Sequence, residues 1–177
     1  MLKITVKKQY VEYLSRFVHV GRDSRYYLEG IYFDKNELAL ASTDGHRLGA
    51  IRNGFFYEGE FAEYGYIIKF SKEVLSFIKS FKFADELDII IDGDSAVLNI
   101  CGASMSLELI DASYPDWRRV CTEESEAIRQ IGLNPKLLKD FQIKQFVRLE
   151  FSGVTNPIRV IVPELPEFYG LLMPARV

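Results

Sequence analysis

The segment Tyr66–Phe81 reads YIIKFSKEVLSFIKSF and contains the pattern on which the rest of the chain is built. Its first five residues are β-branched or aromatic apart from one lysine, which favours a strand. Ser71 follows, a residue type that caps helix N-termini through its side-chain oxygen. Val74, Ile78 and Phe81 then fall on one face of a helix. The segment therefore predicts a short strand followed directly by a short amphipathic helix.

The same pattern occurs three times along the chain. Each copy ends with an apolar residue followed three positions later by phenylalanine, and Phe17, Phe81 and Phe141 are 64 and 60 residues apart. In the third copy, Asn134 and Pro135 place a capping residue before a proline at the first helical position. Self-similarity at a nearly fixed period predicts a repeated structural unit. The β-type runs are Leu2–Val6, Tyr66–Phe70 and Ile128–Leu133, and the endings are Leu14–Phe17, Ile78–Phe81 and Leu138–Phe141.

Three strand-like runs follow each predicted helix. Turn signals such as Asp44-Gly45 and Ser152-Gly153 separate them. The unit is therefore β-α-β-β-β, repeated at about residues 1–62, 63–122 and 123–177, and the fold class is α+β. The runs are Leu28–Phe33, Leu38–Thr43 and His46–Ile51, then Leu87–Asp92, Ala96–Cys101 and Ser104–Ile110, then Phe146–Phe151, Pro157–Val162 and Phe168–Met173.

The composition limits what the chain can be. Its 177 residues are 48% hydrophobic and 27% charged, enough to bury a core, and the net charge of −3 excludes a globally basic nucleic-acid binder. Cys101 and Cys121 give neither a disulfide framework nor a zinc-ligand spacing, so we expect free thiols and no metal. The N-terminus has no apolar signal core, and no apolar run approaches the ~18 residues of a membrane span. We therefore expect a cytoplasmic protein without a membrane partner.

Positive charge is concentrated on the predicted helices. Each of the three, taken as residues 7–17, 71–82 and 135–144, carries a net charge of +2, so the remainder of the chain carries −9. This distribution indicates one basic face, which would attract a phosphate backbone without reading its sequence. The other interpretation is that the lysines form the solvated side of amphipathic helices. Charge alone leaves both interpretations open.

Four further motifs stand out, and each has an ordinary structural explanation on its own. They read RYYLEG at 25–30, STDGHRL at 42–48, LIDASYPDWRRV at 109–120 and LLMPARV at 171–177. Asp44-Gly45 is typical of a hairpin turn, and Pro115 of a rigid connector. The arginines after Trp117 can solvate its ring or stack on it.

Together and in this order, the motifs resemble the bacterial sliding clamp family, the β subunit of the replicative DNA polymerase III. Residues from Met1 to about Val120 are similar to the middle domain of that clamp, and 131–177 to the second half of its last domain. The resemblance implies a DNA-clamp fold, with helices on one face toward DNA and antiparallel sheets on the other. It divides the chain into a complete domain of two units, 1–122, and a half domain of one unit, 123–177. A full clamp chain would have six units.

The resemblance also implies a groove that binds a short apolar peptide of a partner such as a DNA polymerase. Gly45 would let the peptide backbone approach, and Arg47 or Arg119 would hold a carbonyl or carboxylate. Ala175 stands where the best-known members have a larger apolar residue, which would alter the pocket depth. We expect Leu171–Ala175 to pack beside the Thr43–Leu48 hairpin and beside Pro115–Val120. The implied residues are Leu28, Thr43, Gly45, His46, Arg47, Leu48, Pro115, Arg119, Val120, Leu171, Met173, Pro174 and Ala175.

For DNA, the resemblance implies contacts from the loop before the second strand and from the helix lysines. Arginine would bind phosphate, while tyrosine would stack on an unpaired base or hydrogen-bond to the backbone. No cofactor, metal or catalytic group is implied. The DNA-binding residues would be Lys7, Lys8, Arg22, Arg25, Tyr26, Tyr27, Lys72, Lys79, Lys136 and Lys139.

Three functions stay open at this point. The first is a sliding-clamp-like replication or repair accessory protein that binds clamp-binding peptides and tethers their owners to double-stranded DNA. The second is a truncated relative that acts as an adaptor or competitor without encircling DNA. The third is an enzyme with Asp44 and His46 as an acid–base pair, although the sequence shows no nucleophile motif, phosphate-binding loop or metal cluster to support it.

The third unit raises the question of assembly because its partner unit is missing from the chain. Its apolar strand residues need a cover, which we expect from the same unit of a second chain. The expected homo-oligomer is a dimer or, with four chains, a closed ring. The residues to be covered are Val147, Leu149, Phe151, Ile158 and Val160.

Overall fold

A computed structural model describes residues 1–21, 24–121, 130–143 and 146–175, in which short helices cover a large sheet. Short 3-10 turns span Tyr26–Leu28 and Trp117–Val120. Within these residues no helix is long and apolar enough to cross a bilayer. The helices are α1 (Lys8–Leu14), α2 (Lys72–Ser80) and α3 (Pro135–Lys139). The strands are β1 (Leu2–Lys7), β2 (Ile31–Asp34), β3 (Ala39–Thr43), β4 (Arg47–Ile51), β5 (Phe55–Gly59), β6 (Tyr66–Lys69), β7 (Glu86–Asp92), β8 (Ser95–Ile100), β9 (Ala103–Ile110), β10 (Arg148–Glu150), β11 (Ile158–Ile161) and β12 (Phe168–Leu172).

Local sequence signals explain where two of the helices begin. The Ser71 hydroxyl accepts a hydrogen bond from the backbone N–H of Val74 at 3.3 Å. The Asn134 side chain accepts from the N–H of Lys136 at 3.0 Å, and Pro135 occupies the first helical position. These bonds satisfy N–H groups that have no partner inside the helix. Both predicted helix starts are confirmed.

The described strands join into one antiparallel sheet, in the order β10-β11-β12-β4-β3-β2-β6-β9-β8-β7-β1-β5. In the first two units, the opening strand pairs with a strand of the other unit. Strand β1 lies beside β7, with Leu2 opposite Ile91. Strand β6 lies beside β2, with Ile68 opposite Ile31. The two units are thus interlocked through their opening strands.

The helices lie along one face of the sheet, with α1 between the other two. The Lys8 ammonium on α1 donates to the carbonyl of Phe81 at the end of α2, at 3.0 Å. The Tyr13 hydroxyl donates to the carbonyl of Phe141, just after α3, at 2.7 Å. Apolar residues from the helices and the sheet share one core. The predicted architecture, with helices on one side and an antiparallel sheet on the other, is confirmed.

The third unit packs on the first unit of its own chain. Strand β12 pairs with β4 and places Leu171 opposite Leu48. The Phe141 ring meets the Phe17 ring edge-on, with 4.8 Å between centroids. Backbone pairing and aromatic packing therefore both hold the third unit on the first.

This packing corrects the expectation that a second chain must cover the third unit. Ile158 and Val160 are fully buried within the single chain, and Val147 and Leu149 are partly buried against the same core. Phe151 is 37% exposed. The error arose because the pairing of β12 with β4 joins distant parts of the sequence, which a local pattern does not reveal. The dimer and the four-chain ring stay predictions, without this argument behind them.

Two elements of the first unit differ from the sequence prediction. The expected strand Leu28–Phe33 begins only at Ile31, because the Leu28 N–H closes a 3-10 turn on the carbonyl of Arg25 at 2.9 Å. Strand β5 was not predicted. It pairs along β1 at the edge of the sheet, where Phe55 is buried and Phe56 is exposed. An edge strand with one buried face gives only a short alternating signal.

The third unit also departs from its predicted pattern. Helix α3 is one short turn of five residues rather than the expected 135–144. Residues 128–129 of the predicted strand Ile128–Leu133 lie outside the described part of the chain. The described remainder contributes one isolated bridge, between Gly132 and Ala175.

Candidate functional site

A pocket of about 210 Å³ lies where three segments that are distant in sequence meet. Leu171 on β12 lies opposite Leu48 on β4, and the N–H of Met173 donates to the carbonyl of His46 at 2.9 Å. The 3-10 turn that begins at Trp117 closes another side. The mainly apolar lining consists of Tyr27, Leu28, Thr43, Gly45, Arg47, Leu48, Pro115, Asp116, Trp117, Val120, Pro157, Leu171 and Met173.

The tight turn between β3 and β4 is closed by its own side chains. One Asp44 carboxylate oxygen accepts from the backbone N–H groups of His46 at 2.9 Å and Arg47 at 3.1 Å. The Thr43 hydroxyl donates to the Arg47 carbonyl at 2.6 Å and accepts from the Gly45 N–H at 3.0 Å. Gly45 has a φ of 86°, a conformation that favours glycine. Asp44 thus shapes the turn through the His46 backbone, and this contact gives no support to an acid–base pair.

Trp117 is the largest residue of the lining and is only 3% exposed. Small residues on β3 and β4 make room for its indole ring. The Asp116 carboxylate accepts from the Arg118 N–H at 3.3 Å and so caps the 3-10 turn. The apolar cluster beside the pocket contains Ala39, Ala41, Leu48, Ala50, Trp117 and Leu171.

Arg47 lines the pocket, but its charge is already paired. The guanidinium forms ion pairs with Asp44, at 3.2 Å, and with Asp140 of the third unit. It also donates to the Arg16 carbonyl at 2.8 Å and lies 5.4 Å from the centroid of the Phe17 ring. These contacts assign Arg47 to joining the first and third units. Its expected role in holding a peptide carboxylate gains no support from them.

Nine of the thirteen groove residues expected from the sequence line this one pocket. His46 is not part of the lining, although its backbone carbonyl accepts from the N–H of Met173. Arg119 points outward, with a side chain 84% exposed and paired to Asp116 at 3.2 Å. Pro174 and Ala175 lie outside the lining. The nine are Leu28, Thr43, Gly45, Arg47, Leu48, Pro115, Val120, Leu171 and Met173.

A second cavity, of about 750 Å³, continues from the pocket at Met173, which lines both. Pro174 and Ala175 belong to this second cavity, together with Gly132 and Val154. The small Ala175 side chain lies beside the Gly132 bridge, where the Ala175 N–H donates to the Gly132 carbonyl at 2.9 Å. Two of the four predicted residues missing from the first pocket therefore line the cavity next to it.

Sequence reasoning missed four lining residues. Asp116 and Trp117 stand inside a motif that was recognised, so their adjacency to Pro115 was an available signal. Tyr27 was expected on the DNA side, but it lines the pocket beside Leu28. Pro157 precedes β11 and reaches the pocket only through the tertiary packing of the third unit. No sequence signal marks it.

The pocket region carries little free charge. Burial raises the pKa values of the Tyr114 and Tyr32 hydroxyls, which therefore stay neutral near neutral pH. Burial likewise raises the pKa of the Cys121 thiol, which favours its protonated form. The described residues contain no group of three or more His, Cys, Asp or Glu placed to hold a metal ion.

The expected DNA-binding residues are not equally available. Lys72 and Lys79 on α2, and Lys136 and Lys139 on α3, are exposed. Lys8 is largely committed to the Phe81 carbonyl and to Glu12, at 3.6 Å.

Lys7, at the end of β1, and the candidates in the loop before β2 vary in the same way. Lys7 is exposed and lies 5.2 Å from the centroid of the Tyr10 ring. Arg25 donates to the Asp44 carbonyl at 3.2 Å, while Tyr26 is 53% exposed. Arg22 lies outside the described residues.

Comparisons with known proteins agree with this geometry. The sequence model of the family described as DNA polymerase III beta subunit, central domain, matches residues 6–116. The beta sliding clamp of Buchnera aphidicola is 28% identical over 149 residues, covering 81% of this chain and 39% of the relative. That of Rickettsia bellii is 29% identical over 155 residues, covering 78% and 40%. The chain therefore spans about two fifths of the length of these curated relatives.

Solved structures show the same fold. The sliding clamp of Bartonella birtlesii bound to griselimycin superposes with a TM-score of 0.76 at 17% identity, covering 99% of this chain and 66% of that one. At 17% identity this match shows only the fold. That fold agrees with the interlocked units and the row of helices described above.

Proposed function

Because the chain belongs to the DNA polymerase III beta subunit family, we propose that it is a sliding-clamp-like accessory protein of DNA replication or repair. It has no catalytic role of its own and binds a short apolar peptide of a DNA polymerase or related factor. The observation that supports this proposal is the pocket, which the fold assembles from Thr43–Leu48, Pro115–Val120 and the end of β12. These segments have no local reason to meet.

The pocket dimensions fit one or two apolar side chains rather than a whole small molecule. Its 210 Å³ falls below the roughly 300–1,000 Å³ of pockets that enclose drug-sized ligands. The second cavity begins at Met173 and offers room for the rest of an extended segment. A few anchoring side chains supply most of the affinity in such complexes.

Peptide binding is tested by titrating a short peptide that contains Gln and Leu or Phe, as in clamp-binding segments of polymerases. Trp117, the single tryptophan, lines the pocket and reports occupancy by its fluorescence. Met173→Asp places a charge in the pocket and should weaken the Kd at least about tenfold, because a buried charge is costly to desolvate. Phe56→Asp, on the remote edge strand β5, makes the same kind of change and should leave the Kd unaltered. Equal affinity of the Met173 variant and the native protein would place the site elsewhere.

DNA is the second ligand of the proposal. The exposed lysines of α2 and α3 lie on the helical face and would bind the phosphate backbone of double-stranded DNA without sequence preference. Replacing Lys72, Lys79 and Lys136 together by Gln should flatten the dependence of log K on log salt by up to about three units, roughly one per lost contact. The triple variant Lys3→Gln, Lys35→Gln and Lys69→Gln changes the net charge equally and serves as the control. An affinity that does not vary with salt would remove DNA from the account.

The second candidate is an adaptor or competitor that occupies clamp-binding peptides without encircling DNA. Its specific support is the packing of the third unit on the first, which buries Ile158 and Val160 without a second chain. Native mass measurement with and without nicked circular DNA separates the candidates. A monomer that binds peptide but slips freely from circular DNA favours the adaptor, whereas a dimer or four-chain ring retained on circular DNA favours the clamp.

A further inference from the structure

Residues 114–121, which supply about a third of the pocket lining, belong to no strand. Residues 114–121 run from β9 through the 3-10 turn and supply Pro115, Asp116, Trp117 and Val120 to the pocket. A segment without sheet hydrogen bonds needs another means of keeping its side chains in place.

Two side chains attach this segment to the hairpin of β2 and β3. At its start, the Tyr114 ring stacks on Tyr32 with 4.7 Å between centroids and 7° between planes. At its centre, Arg118 donates to the Asp34 carboxylate at 2.7 Å and to the Glu37 carboxylate at 2.6 Å. Both attachments end on the same hairpin.

The Arg118 attachment has the features of a rigid support. Its planar fork binds two carboxylates at once, an arrangement that lysine does not reproduce. The Asp34 side chain is only 4% exposed and also accepts from the Asn36 N–H at 2.9 Å, so its position is fixed. The guanidinium is therefore held through two of its three nitrogens, Nε and Nη1.

Arg118 passes this rigidity to the pocket through Trp117. The guanidinium carbon lies 4.4 Å from the centroid of the Trp117 ring. The indole N–H has no acceptor among the described residues, so no hydrogen bond orients the ring. Stacking on Arg118 and packing against small strand residues are what set the indole plane.

We propose that Arg118, which does not itself line the pocket, is a positioning residue that sets the pocket shape by holding Trp117. The expected effect on peptide affinity rests on the proposed function. Asp34 and Glu37 act with it, since they fix the guanidinium that fixes the indole. Asp34 and Glu37, on the β2–β3 hairpin and outside the pocket lining, then also influence the peptide affinity.

The test uses the full chain and two readouts. Arg118→Met removes the support, and Arg118→Lys keeps a charge near Asp34 in case the first variant fails to fold. Arg52→Met is the matched control, because Arg52 also pairs with Glu37, at 3.0 Å, whereas among the described residues it is Arg118 that stacks on Trp117. The readouts are the Kd of the peptide described above and, without peptide, the Trp117 emission maximum and its quenching by acrylamide. Far-UV circular dichroism verifies folding.

We expect Arg118→Met to weaken the peptide Kd about tenfold, with a smaller loss in Arg118→Lys. In both variants the free Trp117 emission should move to longer wavelength with stronger quenching, while Arg52→Met matches the native protein. Unchanged emission in a folded Arg118 variant, or shifted emission with an unchanged Kd, would overturn the inference. If the native protein binds no peptide, the proposed function fails, and the Trp117 readouts still decide whether Arg118 positions the ring.

Discussion

Removing the Phe141 side chain should undo the packing of the third unit on α1. The ring is fully buried and meets Phe17 at 4.8 Å and Phe168 at 6.1 Å between centroids. Its backbone carbonyl accepts the Tyr13 hydroxyl. Phe141→Ala deletes the ring contacts and leaves the backbone bond possible, so it isolates the side-chain contribution.

The expected cost follows from the burial. Truncating a fully buried phenylalanine to alanine typically costs about 3–5 kcal/mol, from lost apolar burial and the cavity left behind. The edge-on contact with Phe17 and the tilted contact with Phe168 place Phe141 toward the upper part of that range. Single domains are stable by only about 5–15 kcal/mol, so this loss removes a large fraction of the total.

Urea unfolding measured by far-UV circular dichroism and by Trp117 fluorescence checks the prediction. Leu171 of the third unit packs in the same cluster as Trp117, so loss of the packing should change the fluorescence as well. Phe146→Ala is the control, since Phe146 lies in the same unit but is 65% exposed and should cost no more than about 0.5 kcal/mol. Equal unfolding free energies for the two variants would refute the packing of the Phe141 ring against Phe17 and Phe168.

Two further predictions concern local interactions, each measured by urea unfolding. Ser71→Ala removes the side-chain acceptor for the Val74 N–H and should cost about 1 kcal/mol, whereas Ser76→Ala at an exposed site of the same helix should cost nothing; equal effects would contradict the cap. The Tyr10 hydroxyl donates to Glu167 and lowers the pKa of that carboxyl below its ordinary 4.5. This bond therefore stabilises the protein above pH 4.5 and its contribution disappears as the pH falls through the lowered pKa. Tyr10→Phe should abolish that part of the acid dependence, by less than about 1 kcal/mol because Glu167 is exposed; an unchanged acid dependence would contradict it.

The parts of the fold that sequence predicts are those determined by neighbouring residues. Helix starts at Ser71 and Asn134 are visible because the capping residue lies within three positions of the N–H that it binds. Strand β7, with buried Leu87, Ile89 and Ile91 alternating with less buried residues, shows the period of a half-buried strand. In each case the signal is contained in a few consecutive residues.

What sequence does not predict depends on which distant segments meet. The pairing of β12 with β4 has no local signal, and it is what buries Val160 and brings Pro157 to the pocket. The same limit applies to Arg47, because the motif that contains it does not show that its charge is paired with Asp140. The family resemblance named nine residues that line one pocket, whereas their ion-pair partners and exposure came only from the tertiary structure.

The pocket and the packing of the third unit are thermodynamically linked. Leu171, Met173 and Pro157 belong to the third unit and reach the pocket only when that unit is packed on the first. Arg47 belongs to both regions, because it lines the pocket and forms an ion pair with Asp140 of the third unit. A ligand that binds only the packed form stabilises it, by about 2.7 kcal/mol at a hundred times its Kd. Conversely, a variant that unpacks the unit weakens the apparent affinity in proportion to the packed fraction that it loses. A weaker Kd therefore identifies a pocket contact only when the unfolding free energy of the variant equals that of the native chain.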